Sequence, residues 1–478
     1  MEQNSKFDKV MGSWDILVIA FGAMIGWGWV VNSGDWITTA GFMGSILAFL
    51  IGGAMVIFVG FTYAELTSAM PQTGGEHIFA YRAMGPAGSF VCTWAIILGY
   101  VATAAFEAAA LPTVVTYVFP GFNQGYLYTI AGRDIYVTTI ILGVAVSILI
   151  TCINLAGSKT AAILQSVLTA IIAIAGILLI AASVLQGDSA NITGQFFVAG
   201  EGSLAKSIFK VACMTPFLFI GFNVIPQAAE EVNVPYKKIG MIMLFSIVLA
   251  IAWYLLIVFA ICYAMPQSAI VEELNAQNGL VTAECMVRVF HSELMGKVLI
   301  VGGLCGIITS WNSFLMGGSR ALYSMGESRM LPEIFGRLGK NKTPSAAIIL
   351  CGLLCCIAPF FGRGVLVWLV DAASFGCVVA YFMVSIAFCI LRKKEPEMVR
   401  PYKVKCGMLV GVLAVILAGF MTFLYVIPSP VSSALLWQEW IVVGTWILLG
   451  LIFYFFSKKK YGAEFGRVEI LELDESLK

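Results

Sequence analysis

Two stretches of this 478-residue sequence interrupt runs that would otherwise read as continuous helix. Gly22-Ala23-Met24-Ile25-Gly26-Trp27-Gly28 places three glycines in seven residues, and each glycine costs about 1 kcal/mol against alanine in a helix interior. A later apolar run contains Pro216, Gly221 and Pro226, with Phe217-Leu218-Phe219-Ile220-Gly221-Phe222 between the prolines. An unpaired backbone group in hydrocarbon costs several kcal/mol, so a spanning helix breaks only where it lines a cavity or a site. Glu107 is the third candidate, a lone carboxyl within Tyr100–Ala110. Burying such a group at the bilayer centre costs about 2.5–3.5 kcal/mol on insertion scales, which marks it as functional by default. Three roles are open to it: proton carrier, partner for a cationic substrate group, or structural partner of a neighbouring helix. Asp371 either lies at a similar depth and forms a carboxylate pair with Glu107, or sits solvated at the external rim.

The elements that hold these residues follow from composition. Of the residues 60% are apolar and 12% charged, about half the charge of a soluble protein. Twelve spans of about 20 residues would use about 240 of them. Soluble enzymes, nucleic-acid binders and disordered chains are excluded, and the net charge of +1 carries no information about partners. The chain reads as an all-α polytopic membrane protein with twelve transmembrane helices. Apolar runs fall at 14–38, 41–69, 87–118, 135–154, 160–186, 205–229, 239–264, 296–325, 344–361, 364–391, 407–427 and 436–456. With both termini on one side, about 22 of the 28 Lys and Arg gather there, the excess that identifies the cytoplasmic face. The first dozen residues are polar and carry Lys6 and Lys9, and the apolar run behind them lacks a small-residue cleavage site, so it reads as a retained first span. If the first ten spans form two inverted five-helix repeats, spans one and six correspond. Interrupted segments at matching positions of two halves point to a transporter's central site.

Other chemistry is poorly supplied. The two histidines, His77 and His291, stand at opposite ends of spans, too few for a metal cluster or a triad. There is no Walker sequence and no paired CxxC. Nearly all twelve cysteines lie inside apolar runs and read as small buried hydrophobes. Cys285 is placed in an external loop without an evident disulfide partner. Glu65, Arg82, Arg320 and Glu230–Glu231 lie near cytosolic span ends and read as gate or interface ion pairs.

Five motifs, in order and at span ends, make the chain resemble the amino acid–polyamine–organocation (APC) superfamily of permeases over nearly its whole length. They are the Gly26-Trp27-Gly28 break; Tyr63-Ala64-Glu65-Leu66 with Met70-Pro71-Gln72-Thr73-Gly74-Gly75-Glu76; Ala229-Glu230-Glu231-Val232-Asn233-Val234-Pro235; Ser319-Arg320-Ala321-Leu322-Tyr323-Ser324-Met325 with Leu331-Pro332; and Leu391-Arg392-Lys393-Lys394-Glu395-Pro396 with Arg400-Pro401-Tyr402. The resemblance implies a leucine-transporter-like core of five plus five inverted helices over 14–392, with repeats at about 14–186 and 205–392. A loop with helices eleven and twelve would follow over 393–456, and cytosolic tails would occupy 1–13 and 457–478.

It implies further that substrate sits mid-membrane between spans one and six. Free N–H groups and the positive end of a half-helix suit a carboxylate; free carbonyls and a negative half-helix end suit an ammonium. In family terms Ile25, Gly26, Trp27 and Gly28 would face the carboxylate, and Ile220, Gly221 and Asn223 would lie near the amine. Phe217 falls at the place of an aromatic gate. Phe314 and Trp311 would present aromatic surface to the substrate or belong to the core. Trp27 stands where the family has a small serine, with Trp29 beside it, so two large rings must reshape the pocket or point out of it. In sodium-coupled relatives a hydroxyl pair like Thr309-Ser310 binds Na+. The lysine that proton-coupled members carry in span five is Ile172 here, so a proton on Glu107, Na+ at Thr309 and Ser310, and ion-free exchange all remain.

The expected function is secondary active transport of an amino acid or small amine across the plasma (inner) membrane by alternating access, with H+ or Na+ as the coupling ion and no other cofactor. A polyamine or ethanolamine carrier and a non-transporting amino-acid sensor are the alternatives. An enzyme is disfavoured for want of a nucleophile–base pair. Partners would be the small substrate and the lipid bilayer, not nucleic acid, in an oligomeric state that the sequence does not fix.

Overall fold

The computed structural model describes residues 6–198, 203–276, 279–427 and 435–474, with the side chain of Arg363 left aside; residues 1–5 and 475–478 of the two expected tails lie outside the described residues. The chain is almost wholly helical: α1 Ser13–Met24, α2 Gly28–Ala69, α3 Glu76–Val118, α4 Val137–Ala156, α5 Ser158–Gln186, α6 Ser189–Gly194, α7 Leu204–Leu218, α8 Val224–Gln227, α9 Tyr236–Ala264, α10 Gln267–Asn275, α11 Val281–Phe290, α12 Glu293–Glu327, α13 Ser345–Ile357, α14 Gly362–Lys394, α15 Gly407–Val426 and α16 Trp437–Tyr461. Among the described residues nine of these are long and apolar enough to cross a membrane, namely α2, α3, α4, α5, α9, α12, α14, α15 and α16. The outward faces of α4, α15 and α16 are apolar, with Ile141, Leu149, Ile416, Phe423, Ile447 and Phe456 exposed. Water does not tolerate such a surface over many helices, but lipid does.

The first expected span is split, as its glycines require: α1 ends at Met24 and α2 begins at Gly28. The second expected span continues α2 through a turn at Gly41, whose φ of 76° favours glycine. There the backbone finds its partners on residues 195–198: Phe42 N–H donates to Gln195 O (2.9 Å) and Val198 N–H to Ala40 O (3.2 Å). A Cβ on Gly41 would stand 2.7 Å from that backbone, so both conformation and space call for glycine. The sixth expected span becomes α7, an irregular segment at 219–223, and the single turn α8, so neither helical piece has spanning length. One feature absent from the sequence reading is an antiparallel hairpin, β1 Tyr126–Ile130 with β2 Arg133–Tyr136, ahead of α4.

Both tails sit on one face. Lys6 pairs with Glu327 at the end of α12, and Val10 and Met11 N–H donate to Glu231 O (both 3.0 Å). From the other end, Gly466 N–H donates to Ser328 O (2.8 Å), and Leu471 N–H to Gln72 Oε1 (2.8 Å). The ion pairs of that face join distant segments. Glu65 receives Arg392 (Nε to Oε1, 2.7 Å) and Arg400 (3.0 Å), and Arg82 meets Glu395 at 2.7 Å. Arg320, fully buried, meets Glu231 at 2.8 Å. Loss of solvent pushes the Arg400 guanidinium below its ordinary value, and Glu65 pulls it back. Cys285 is not in an external loop; it is buried in α11, 3.9 Å from Ser183 Oγ.

Candidate functional site

The two breaks lie against each other. A Cβ on Gly221, at φ +145°, would stand 2.7 Å from Ala23 Cβ and 3.1 Å from Met24 N, and one on Gly28 would stand 2.9 Å from Leu218 Cδ2. Small residues let α1, α2 and α7 end at the same place. Tyr254 of α9 holds two of those ends together: its hydroxyl reaches Met24 O at 2.7 Å and Leu218 O at 3.3 Å.

What remains unpaired gives the site its polarity. Ile25 N–H closes α1 on Phe21 O (2.9 Å), and Val30 N–H returns to Trp27 O (3.0 Å). Between them the N–H groups of Gly26, Trp27, Gly28 and Trp29 have no protein acceptor among the described residues. The last two open α2, at the positive end of its macrodipole. Across the junction, the carbonyls of Phe219 and Ile220 beyond α7 and of Ala23 at the end of α1 have no donor among the described residues. The arrangement therefore offers donors to an anionic group and acceptors to a cationic one within one junction, where Ile25, Ile220 and Asn223 are all buried.

Side chains hold the rest. Asn223 Oδ1 accepts Gly221 N–H (3.1 Å), which fixes the irregular segment. Tyr100 of α3 donates to Asn223 O (2.8 Å) and receives Asn223 Nδ2 (2.7 Å). The ring of Phe314 stacks on Tyr100 at 6.2 Å, and Phe217 is half-buried in the last turn of α7. Tyr100, Tyr254 and Gln227 escaped the sequence reading because nothing local distinguishes them from ordinary helix residues.

The tryptophans part company. Trp27 turns to α12, where a Cβ on Gly303 would stand 2.0 Å from its ring, and keeps 7% of its surface. Trp29 is inaccessible, donates Nε1–H to Ile25 O (3.2 Å), and packs edge-on against Trp253 of α9. Trp311 is fully buried and lies toward Cys355 of α13.

Glu107, Thr309 and Ser310 come together. Ser310 Oγ donates to Glu107 Oε1 at 2.5 Å. Thr309 Oγ1 contacts Gly22 O and Gly306 O, both at 2.9 Å, and Gly26 lies over Ser310, with 3.3 Å left for a Cβ. These oxygens form a donor set of the kind a hard monovalent cation takes. The carboxyl that Asp371 meets is Glu439 of α16, so the expectation of a Glu107–Asp371 pair gives way to a pairing between α14 and α16. His77 is the second residue of α3, at its span end, and is fully buried there, its Nδ1 2.9 Å from Ser89 Oγ.

The model of the family described as amino acid permease matches residues 11–453. The chain is 24% identical to the methylthioribose transporter of Bacillus subtilis over 462 residues, covering 95% of this chain and 94% of the relative. It is 23% identical to the branched-chain amino acid permease BcaP of the same organism, with the same coverages. It is 25% identical to the histidine permease HisP of Lactococcus lactis, covering 99% of each chain. These relatives are transporters rather than enzymes, and the match runs through both broken helices and into the last long apolar helix: the chain is a multi-pass membrane protein that belongs to the amino acid permease family.

Proposed function

We propose that the protein is a secondary active transporter that carries an amino acid or closely related small amine across the plasma membrane by alternating access. The tail face is cytosolic in this reading, and the twelve spans comprise two inverted five-helix repeats plus α15 and α16. The observation that carries it is the junction of unpaired groups: four N–H donors at Gly26–Trp29 opposite the free carbonyls of Ala23, Phe219 and Ile220. A carboxylate at the first and an ammonium at the second would replace water on groups that have no protein partner. Ile25, Gly26, Trp27, Gly28, Phe217, Ile220, Gly221, Asn223 and Phe314 surround that place, with Tyr100 ordering Asn223.

Coupling is assigned to the Glu107–Ser310–Thr309 cluster. Gly22 O, Gly306 O, Thr309 Oγ1 and Ser310 Oγ would hold Na+, which would supply positive charge beside the first break. Because Ser310 turns its proton toward Glu107, its lone pairs are left to the cation. The same carboxyl supports a second reading, in which Glu107 receives the second ammonium of a diamine.

Relatives named for methylthioribose, branched-chain amino acids, histidine and aspartate show how far substrates diverge at this level of identity. The test is thermal stabilisation of the purified protein across amino acids and common polyamines, with and without Na+. A ligand at 100 times its Kd adds about 2.7 kcal/mol to the folded state. A shift with an amino acid that grows with Na+ is expected. A shift with diamines alone, lost in Glu107→Gln, selects the second reading, and no shift at all rejects both.

A further inference from the structure

We propose that Glu76 is a proton-binding site of the transport cycle, occupied while the tail face is closed and emptied to the cytosol when it opens; this rests on the transport reading above. Glu76 opens α3 and is fully buried. Its Oε2 accepts the side-chain amide of Gln227 in α8. Its Oε1 and Gln227 Oε1 are buried without a hydrogen-bond partner, and the hydroxyl of Tyr63 faces the same carboxyl. A carboxylate and an amide oxygen both only accept, so neither satisfies the other. A proton on Glu76 turns one of its oxygens into a donor toward the waiting amide oxygen of Gln227. The neutral acid therefore satisfies an amide oxygen that the anion leaves stranded, whereas the Tyr63 hydroxyl, both donor and acceptor, can serve either form.

No counter-charge replaces that proton. Among the described residues, Glu76 makes no ion pair. The titratable groups facing it are Tyr63 of α2, Cys92 and Tyr100 of α3, and Cys377 and Tyr381 of α14. None is positive at neutral pH. The adjoining His77 ring meets Ser89 and Thr93 through Nδ1 alone and leaves its buried Nε2 without a partner, and it makes no ion pair with Glu76. Arg320 of α12 is held by Glu231 in two bonds, at 2.8 and 3.2 Å. Glu230, beyond α8, is itself acidic and takes Thr73 N–H at 3.1 Å.

The location supplies both the exit and the coupling. Thr73 and His77, on either side of Glu76 in the chain, line a cavity of 410 Å³ on the tail face with Gln72, Glu230 and Ser324. The turn before α3 is fastened to α8: Gly74 N–H donates to Gln227 O (3.3 Å), and Gly75 lies against Pro226. Withdrawal of α8 would remove Gln227 from Glu76 and admit water from that cavity. The acid would then pass its proton to water and remain as the carboxylate. The other side chain facing Glu76 is Asn223, which shapes the second break, so substrate and proton meet the same irregular segment.

The experiment uses the full chain in proteoliposomes at constant Na+, with a mixture of radiolabelled amino acids as probe. Counterflow exchange and net uptake under a pH gradient are measured for wild type, Glu76→Gln and Gln227→Met. Wild type should show both, and net uptake should rise with the gradient. Glu76→Gln should keep counterflow and lose the response to the gradient. Gln227→Met retains the carboxyl and should move the pH midpoint of uptake by about one unit, a tenfold change in proton affinity; it decides the matter if Glu76→Gln does not fold. A wild type whose counterflow is active but whose uptake ignores the gradient overturns the proton site. So does gradient-driven uptake in Glu76→Gln, or an unmoved midpoint in Gln227→Met. Absence of counterflow in the wild type sinks the transport reading instead.

Discussion

The hydroxyl of Tyr254 donates to the carbonyl oxygen of Met24 at 2.7 Å, across 230 residues of sequence, with Leu218 O at 3.3 Å as its alternative acceptor. One side chain of α9 thus caps the carbonyl ends of both broken helices at the buried junction. Removing it takes the one donor from Met24 O and its alternative Leu218 O in the interior, where an unsatisfied polar group costs about 1–3 kcal/mol. Tyr254→Phe should therefore lower the unfolding temperature of the purified protein and slow transport. An unchanged melting curve would show that the junction is held by packing alone.

Gly26→Leu should abolish transport and leave folded protein in the membrane. The glycine lies beside Ser310 Oγ, with 3.3 Å for a first side-chain carbon and Gly306 O at 3.5 Å. The further atoms of a leucine would enter the junction beside the free N–H groups. Uptake like that of wild type, in protein that runs as a single species on gel filtration, would remove the first break from the mechanism.

Arg320 and Glu231 are 0% and 1% exposed, and Ser158 and Ser319 complete the guanidinium's bonding at 3.0 Å each. Breaking such a pair from one side strands a buried charge and costs about 3–5 kcal/mol, whereas replacing both members is far milder. Arg320→Met should destabilise strongly, and Arg320→Met with Glu231→Met should recover much of the loss. The comparison is read from thermal unfolding of the three proteins in one detergent. Equal melting of the single and double variants would mean that packing, not charge, sets the cost.

Glu230 adds a pH dependence of defined sign. Burial raises its carboxyl above the ordinary 4.5, and the Thr73 N–H opposes the shift without cancelling it. A carboxyl raised in the folded state binds its proton more tightly there than in the unfolded chain. Its contribution to stability is present below 4.5 and is lost as pH rises through the raised folded value. Glu230→Gln should gain stability relative to wild type as pH rises through that window. A difference that does not change with pH would assign Glu230 no linkage of this kind.

Much of the candidate site was legible because its signal is local. Gly22, Gly26 and Gly28 mark the first break, and Pro216, Gly221 and Pro226 the second, by what they do to their own backbone. Glu107 was visible as a carboxyl in an apolar run. The directions of Trp27 and Trp29 were not legible, since two residues apart on one chain they meet Gly303 of α12 and Trp253 of α9. The surroundings of Asp371 were not legible either: its depth was left open between two alternatives, and its neighbour Glu439 lies on another helix.

The sequence by itself determined the class of the protein, the order of its long apolar helices, and the two places where they break. Apolar length and helix-breaking residues act within a few turns, and hydrocarbon leaves an interrupted backbone no alternative to a lined cavity. Only the tertiary structure decided what surrounds those breaks: Ser310 on Glu107, Tyr100 on Asn223, Tyr254 on Met24 and Leu218, and Gln227 on Glu76. Each contact joins residues far apart in the chain. Such pairings depend on how helices cross, which is settled by small residues and side-chain shapes over the whole bundle rather than by any one segment.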